Sequence, residues 1–143
     1  MRYVLDANIA IAALNGVEEV RSRLQSVSSS EVGIPIVALA ELTFGAYNSR
    51  RRDANLQRIE ALRRSVAVLN LDDKVVDLYG SIRAALERRG IVKSDFDLLI
   101  ACTALGQDAI LVTNDHGLLD VEIDGLRTEN WLAAGPAAQP PMI

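Results

Sequence analysis

The residues in this chain that could do chemistry are carboxylates. Asp6 follows the apolar run Tyr3-Val4-Leu5, Asp115 follows the run Ala109 to Asn114, Glu41 interrupts the apolar stretch IVALAELTFGA, and Asp97 stands near the start of SDFDLLIACTAL. A ligand set made only of oxygens selects hard cations such as Mg²⁺ or Mn²⁺ over zinc or copper. Magnesium keeps several waters, lowers the pKa of one of them and offsets charge on a phosphodiester, so an acid-rich site suits cleavage of a phosphate backbone. Little else is equipped for catalysis. The one histidine, His116, lies beside Asp115 rather than near an elbow-like serine, and there is no glycine-rich phosphate loop. His116 reads as a rim or surface residue. Cys102 shares an apolar stripe with Leu98 and Leu105, which makes it packing rather than a nucleophile.

Each acid also has a plainer reading. An Asp between a strand and a helix is a good N-cap, and this covers both Asp6 and Asp115. Ser94-x-x-Asp97 fits a capping box, in which the acid only satisfies a backbone donor. Glu41 is flanked at helical spacing by Val37, Ala38, Phe44 and Gly45, so it faces the interior or its edge. An unpaired buried charge is costly, so Glu41 needs a cation, a metal or an Arg beside it, unless it lies on the exposed side of a largely buried helix. Asp95 and Asp97 are two residues apart and point to opposite sides of a helix. Asp97 shares its face with the small residues Ala101 and Ala104, where a ligand could approach closely. Asp95 reads as a helix-start acid at the positive end of the dipole.

The elements that carry these residues decide whether they can meet. Short β-branched runs alternate with longer runs of helical period. Strands are expected over Tyr3 to Leu5, Val32 to Ile36, Val66 to Leu71, Ala109 to Val112 and Leu126 to Thr128. Helices are expected over Ala7 to Leu14, Val17 to Val27, Val37 to Asn48, Asn55 to Arg64, Asp73 to Arg89 and Phe96 to Leu105. Pro35 marks an edge strand or a strand end, and Gly90 stops the long helix. Strands separated by helices imply a short parallel sheet covered on both faces, an α/β fold of the three-layer α/β/α sandwich type. In such open sheets ligands sit beyond the carboxyl ends of the strands, where the strand order reverses. Asp6 and Asp115 both fall on that rim.

A chain of 143 residues with half of them hydrophobic has room for one core, expected over residues 1–132. The tail 133–143, AAGPAAQPPMI, is expected to be disordered, with three prolines and five small residues. A single cysteine and no spanning-length apolar run or signal-peptide pattern point to a soluble protein of the cytoplasm. The net charge of −4 speaks against a nucleic-acid partner only until its distribution is considered. Arg50, Arg51, Arg52, Arg58, Arg63 and Arg64 fall within residues 50–64, opposed only by Asp53 and Glu60. This basic stripe is either a solvated helix face or a phosphate-tracking surface, for which the bidentate geometry of Arg is suited. Arg50, Arg51 and Arg52 are its candidate RNA-binding residues.

Taken together, the motifs resemble the VapC-type ribonuclease toxins of the PIN-domain superfamily. The resemblance runs from Tyr3 to Trp131 and is carried by YVLDANI, ALAELTFGA, DFDLLIACTAL, ILVTND and GLRTENW. Position by position, the family's site acids fall on Asp6, Glu41, Asp97 and Asp115, and polar positions near its site fall on Asn8 and Thr113. The resemblance implies Mg²⁺- or Mn²⁺-dependent endonucleolytic hydrolysis of RNA, often transfer RNA, without a covalent intermediate. Asp6 and Asp97 are then expected to hold the metal, with Glu41 and Asp115 completing its shell directly or through water. Also implied are a homodimer and a cognate, VapB-like antitoxin whose C-terminal segment covers the active site. The chain departs from the pattern at Gly117-Leu118-Leu119, where many relatives carry an aromatic residue, and some relatives lack an acid at the Asp115 position. A haloacid-type phosphatase would need a second Asp two residues after the first, where this chain has Asn8. A catalytically idle PIN-like module that binds RNA or protein is the other alternative, disfavoured by the intact acid set.

Overall fold

Along each short strand successive side chains point to opposite faces, and this alternation builds the layers. The computed structural model describes residues 1–132. Its strands are β1 (Tyr3–Leu5), β2 (Val32–Pro35), β3 (Ala67–Leu69), β4 (Ile110–Val112) and β5 (Thr128–Glu129), all parallel, in the order β3-β2-β1-β4-β5. Val4, Ile34 and Leu111 face a core shared with α3 (Ile36–Tyr47), α4 (Arg52–Ser65), α5 (Asp73–Arg88) and α6 (Asp95–Gly106). Tyr3, Leu5, Val32 and Val112 face the other core, covered by Ile9 and Ala12 of α1 (Ala7–Leu14) and by Val20 of α2 (Glu18–Gln25). Trp131 closes that second core, its ring edge-on to Tyr3 at 5.2 Å. The expected α/β/α sandwich is therefore the fold.

The expected elements form, with shifts that have local causes. Pro35 ends an internal strand and sits at the N-cap of α3, which settles the choice between edge and strand end. Without an N–H to donate, it costs nothing at a position where a helix begins. Helix α4 starts at Arg52 rather than Asn55, because the buried Asn55 is held inside its first turn by Nδ2 donating to Ser49 Oγ at 2.9 Å. The last strand forms at Thr128–Glu129, in register with Leu111 and Val112. A 3-10 turn (Ser29–Glu31) and a four-residue helix, α7 (His116–Leu119), are too short to leave a periodic signal. At Gly90 the backbone takes φ +74°, and the N–H groups of Gly90 and Ile91 donate to the carbonyls of Glu87 and Leu86. That pair of bonds is a Schellman stop, and the left-handed residue it requires favours glycine. The tail expected to be disordered lies outside the described residues. No described helix is long and apolar enough to cross a membrane.

The strand order creates the site. From β1 the chain moves on to β2 on one side of the sheet, whereas β4 is followed by β5 on the other. The crevice of the reversal thus lies beyond the carboxyl ends of β1 and β4. Pairing continues past both ends: the Asp6 N–H donates to the Val112 carbonyl at 3.1 Å, and the Thr113 N–H to the Glu129 carbonyl at 3.0 Å. Leu111, fully buried in the middle of β4 and away from the acids, carries the packing of this internal strand. Leu111→Ala is expected to destabilise the fold by about 2–5 kcal/mol, read as a lower midpoint at unchanged m-value in urea denaturation.

Candidate active site

Asp6 is placed by two devices. It is the first residue past β1 and the N-cap of α1, and its Oδ1 accepts from the Ile9 N–H at 2.9 Å. Its Oδ2 accepts a close hydrogen bond from the Thr113 hydroxyl, and the same oxygen of Thr113 accepts from the Asp115 N–H at 3.0 Å. Thr113, fully buried, thus ties the end of β1 to the turn after β4. Asp115 is the N-cap of α7, with Oδ1 accepting from the Gly117 N–H at 2.9 Å. Capping and site roles therefore coincide in Asp6 and Asp115, because a side chain that caps a helix after a strand already points over the strand's carboxyl end.

Glu41 and Asp97 arrive from helices α3 and α6, which pack on the same face of the sheet. The Ser94 Oγ accepts from the Asp97 N–H at 3.1 Å, which is one half of a capping box. No hydrogen bond returns from the Asp97 carboxylate among the described residues, so that carboxylate is left for the cavity. Asp6, Glu41, Asp97 and Asp115, with Ala7, Asn8, Ile100 and Leu118, line one cavity of about 40 Å³. All four expected acids come together there. Asn8 is exposed at its edge, whereas Thr113 lies behind Asp6 and orients it. Ile100 and Leu118 supply apolar walls that no motif singles out. An apolar residue carries no mark of which cavity it will border, so the sequence holds no signal for them.

The electrostatics are those of like charges crowded together. Burial pushes the Asp6 carboxyl up to about 6, and the nearby Asp115 and Asp97 add to the rise, against the hydrogen bonds from Thr113 and Ile9. Burial raises Glu41 as well, followed by the charges of Asp97 and Asp6. None of the four acids pairs with a cation among the described residues, although six Arg–carboxylate pairs form elsewhere in them. The donor set is oxygen only, and its mutual repulsion fits a hard divalent cation. Among the described residues no three acids already stand in a closed metal-binding cluster, so an ion here would be reached partly through water, as Mg²⁺ commonly is.

The remaining candidates separate cleanly. Asp95 faces α5, its Oδ1 accepting from the Tyr79 hydroxyl at 2.6 Å and from Arg83 at 3.0 Å, and so stays out of the acid cavity. His116 is exposed and pairs with Asp120 at 3.7 Å. Cys102 is fully buried and its thiol is pushed up to about 11 by that burial, which matches a packing role. Arg50, Arg51 and Arg52 line an open groove of about 540 Å³ with Tyr47, Ser49, Asp53 and Ala54. The wider stripe does not hold together as one surface, since the Arg58 guanidinium donates to the Leu14 carbonyl at the end of α1.

This arrangement of acids at the reversal point of a short parallel sheet defines a class. The chain belongs to the PIN-domain family, whose model matches residues 3–123. It is 35% identical to the tRNA(fMet)-specific endonuclease VapC of Shigella flexneri over 132 residues, which are 92% of this chain and 98% of that protein. It is 30% identical to Ribonuclease VapC2 of Rickettsia felis, over 92% of this chain and 98% of that protein. Among solved structures, DNA-bound VapBC from Salmonella typhimurium superposes with a TM-score of 0.85 at 31% identity, covering 92% of this chain and 98% of that one. These relatives make it a VapC-type member of the family.

The raised Asp6 has a consequence for stability. Folding lifts its pKa from 3.8 to about 6, so the folded state favours the protonated form. Its cost is absent below about pH 4, grows as pH rises between those two values and is complete above them. Asp6→Asn is expected to stabilise the metal-free protein at neutral pH by on the order of 3 kcal/mol, with the gain vanishing near pH 4. Urea denaturation at both pH values measures this, and an equal change at both would contradict it.

Proposed function

We propose that the chain is the endoribonuclease toxin of a toxin–antitoxin pair, hydrolysing RNA phosphodiester bonds at the cavity of Asp6, Glu41, Asp97 and Asp115. The observation that carries this reading is the convergence of four acids from four elements on one small cavity, with no cation paired to any of them among the described residues. Asp6 and Asp97 would hold a divalent cation, Mg²⁺ or Mn²⁺, with Glu41 and Asp115 bound directly or through water. Such an ion, when bound, supplies an acidified water and offsets charge on the phosphodiester. The protein's own part is positional. Thr113 and Ile9 fix both oxygens of Asp6, and Gly117 fixes one oxygen of Asp115.

Substrate and partners follow from the site's surroundings and its relatives. The groove of Arg50, Arg51 and Arg52 begins at Tyr47, roughly 9 Å along the α3 axis from Glu41 at the helical rise per residue. The Arg50 and Arg51 side chains have no hydrogen bond or ion pair among the described residues, and so are available for phosphates. The Shigella flexneri relative is named for tRNA(fMet), and structured RNA of the transfer-RNA class is accordingly the proposed substrate. The chain works, on this reading, as a homodimer held in check by a VapB-like antitoxin that covers the acid cavity. Exposed apolar residues such as Phe44 (71%) and Val92 (81%) offer surface for partner contacts.

Three measurements test this. Asp6→Asn and Asp97→Asn are each expected to reduce RNA cleavage in Mg²⁺ by at least about 100-fold, and Mg²⁺ or Mn²⁺ is expected to raise the melting temperature of the wild type but not of Asp6→Asn. Undiminished cleavage by both variants would contradict the assignment. Replacing Arg50, Arg51 and Arg52 together by Ala is expected to lower the salt dependence of RNA affinity by about 0.7 for each phosphate that the variant no longer neutralises, whereas an unchanged slope would return them to a solvated face.

A further inference from the structure

Lys93 is one of two lysines in the chain and lies between α5 and α6, shortly after the Gly90 stop. The residue is half-buried. Its ammonium is located by Gly117, in the first turn of α7: a Cβ built there would lie 3.2 Å from Lys93 Nζ and 3.1 Å from Asp115 Oδ1. The cation therefore stands over the start of α7, next to a carboxylate that lines the acid cavity. Yet Lys93 makes no hydrogen bond or ion pair among the described residues, while Arg23, Arg52, Arg64, Arg83 and Arg127 all pair with acids. Asp115 Oδ1 is meanwhile committed to the Gly117 N–H. The ammonium is thus held beside the site without being engaged by the fold.

A cavity of four acids repels the phosphates that it must admit, and a cation at its rim reduces that repulsion where the backbone enters. With three donors, no acceptor and no planar face, an ammonium offers charge rather than base selection. We propose that Lys93 is a phosphate-binding residue of this active site, contacting the RNA backbone beside the scissile phosphodiester. The proposal rests on the ribonuclease reading above. It also assigns a function to Gly117, whose missing side chain leaves room for the ammonium.

The test uses the full chain and a short fluorescein-labelled single-stranded RNA, with affinity measured by anisotropy over a salt series in EDTA. Lys93→Gln is expected to weaken binding several-fold for unrelated sequences and to lower the slope of log K against log salt by about 0.7, while Lys93→Arg restores both. In Mg²⁺, Lys93→Gln is expected to raise KM more than it lowers kcat. Gly117→Ala, whose Cβ would crowd the ammonium and shift it by a few tenths of an ångström, should weaken binding more in the wild type than in Lys93→Gln. Lys74→Ala, at an exposed lysine on α5, should leave the slope unchanged.

An unchanged slope in Lys93→Gln overturns the proposal, as does an equal loss from Lys74→Ala or an equal effect of Gly117→Ala with and without Lys93. Tighter Mg²⁺ binding as the sole change in Lys93→Gln would also overturn it, by making Lys93 a counter-charge to Asp115. A wild type that cuts no RNA would instead overturn the ribonuclease reading, since the slope in EDTA reads Lys93 whether or not cleavage occurs.

Discussion

Like charges held together at a sheet rim cannot be stabilised by one another, so everything around them must compensate. Asp6 bears most of this constraint. It is almost fully buried, and among the described residues its ionised form is supported only by the Ile9 N–H and the Thr113 hydroxyl, while two neighbouring acids oppose it. Burying a carboxylate on these terms is destabilising in the absence of a cation. The opposing contribution comes from the two apolar cores, which seal both faces of the sheet with aliphatic side chains from seven helices.

The same constraint explains why so few side chains have a single role. Asp6 and Asp115 cap helices and line the cavity at once, and Thr113 both orients Asp6 and receives the Asp115 N–H. A helix that follows a strand without a long loop must begin at the sheet rim, and its capping oxygen is then already where a ligand would bind. Cations are apportioned just as closely. Arg83 holds Asp95 and Tyr79 between α5 and α6, which keeps that acid out of the cavity, and Arg58 is tied to the end of α1. The Lys93, Arg50 and Arg51 side chains make no hydrogen bond or ion pair among the described residues.

Much of this was legible in the order of residues. Alternating β-branched and helix-period runs specify a parallel α/β sheet, because each strand must be covered on both faces by the helices between. The acids after β1 and β4 could be assigned to a common rim on topology alone. Glu41 stood out because a charge inside an apolar helix needs a reason, and Asp97 could be preferred to Asp95 because residues two apart face opposite ways. The resemblance over Tyr3 to Trp131 named the family to which the chain belongs.

Other features depended on interactions between segments far apart in the chain. Ser94-x-x-Asp97 reads equally well as a full capping box, and only the packing of α6 beside α3 leaves that carboxylate aimed at Asp6 and Glu41. The Arg-rich stretch looked continuous until Arg58 met the Leu14 carbonyl, 44 residues away in sequence. Asp115 could be read as an N-cap, but helix α7 is too short to have a period, so the gap at Gly117 could not be read in advance. For the four acids, then, the sequence by itself determined their identity and the strands and helices that carry them, since local pattern is a property of neighbours in the chain. Their common cavity, the burial that raises Asp6, and the cation standing beside Asp115 were decided only by the tertiary structure, because desolvation and charge act through space.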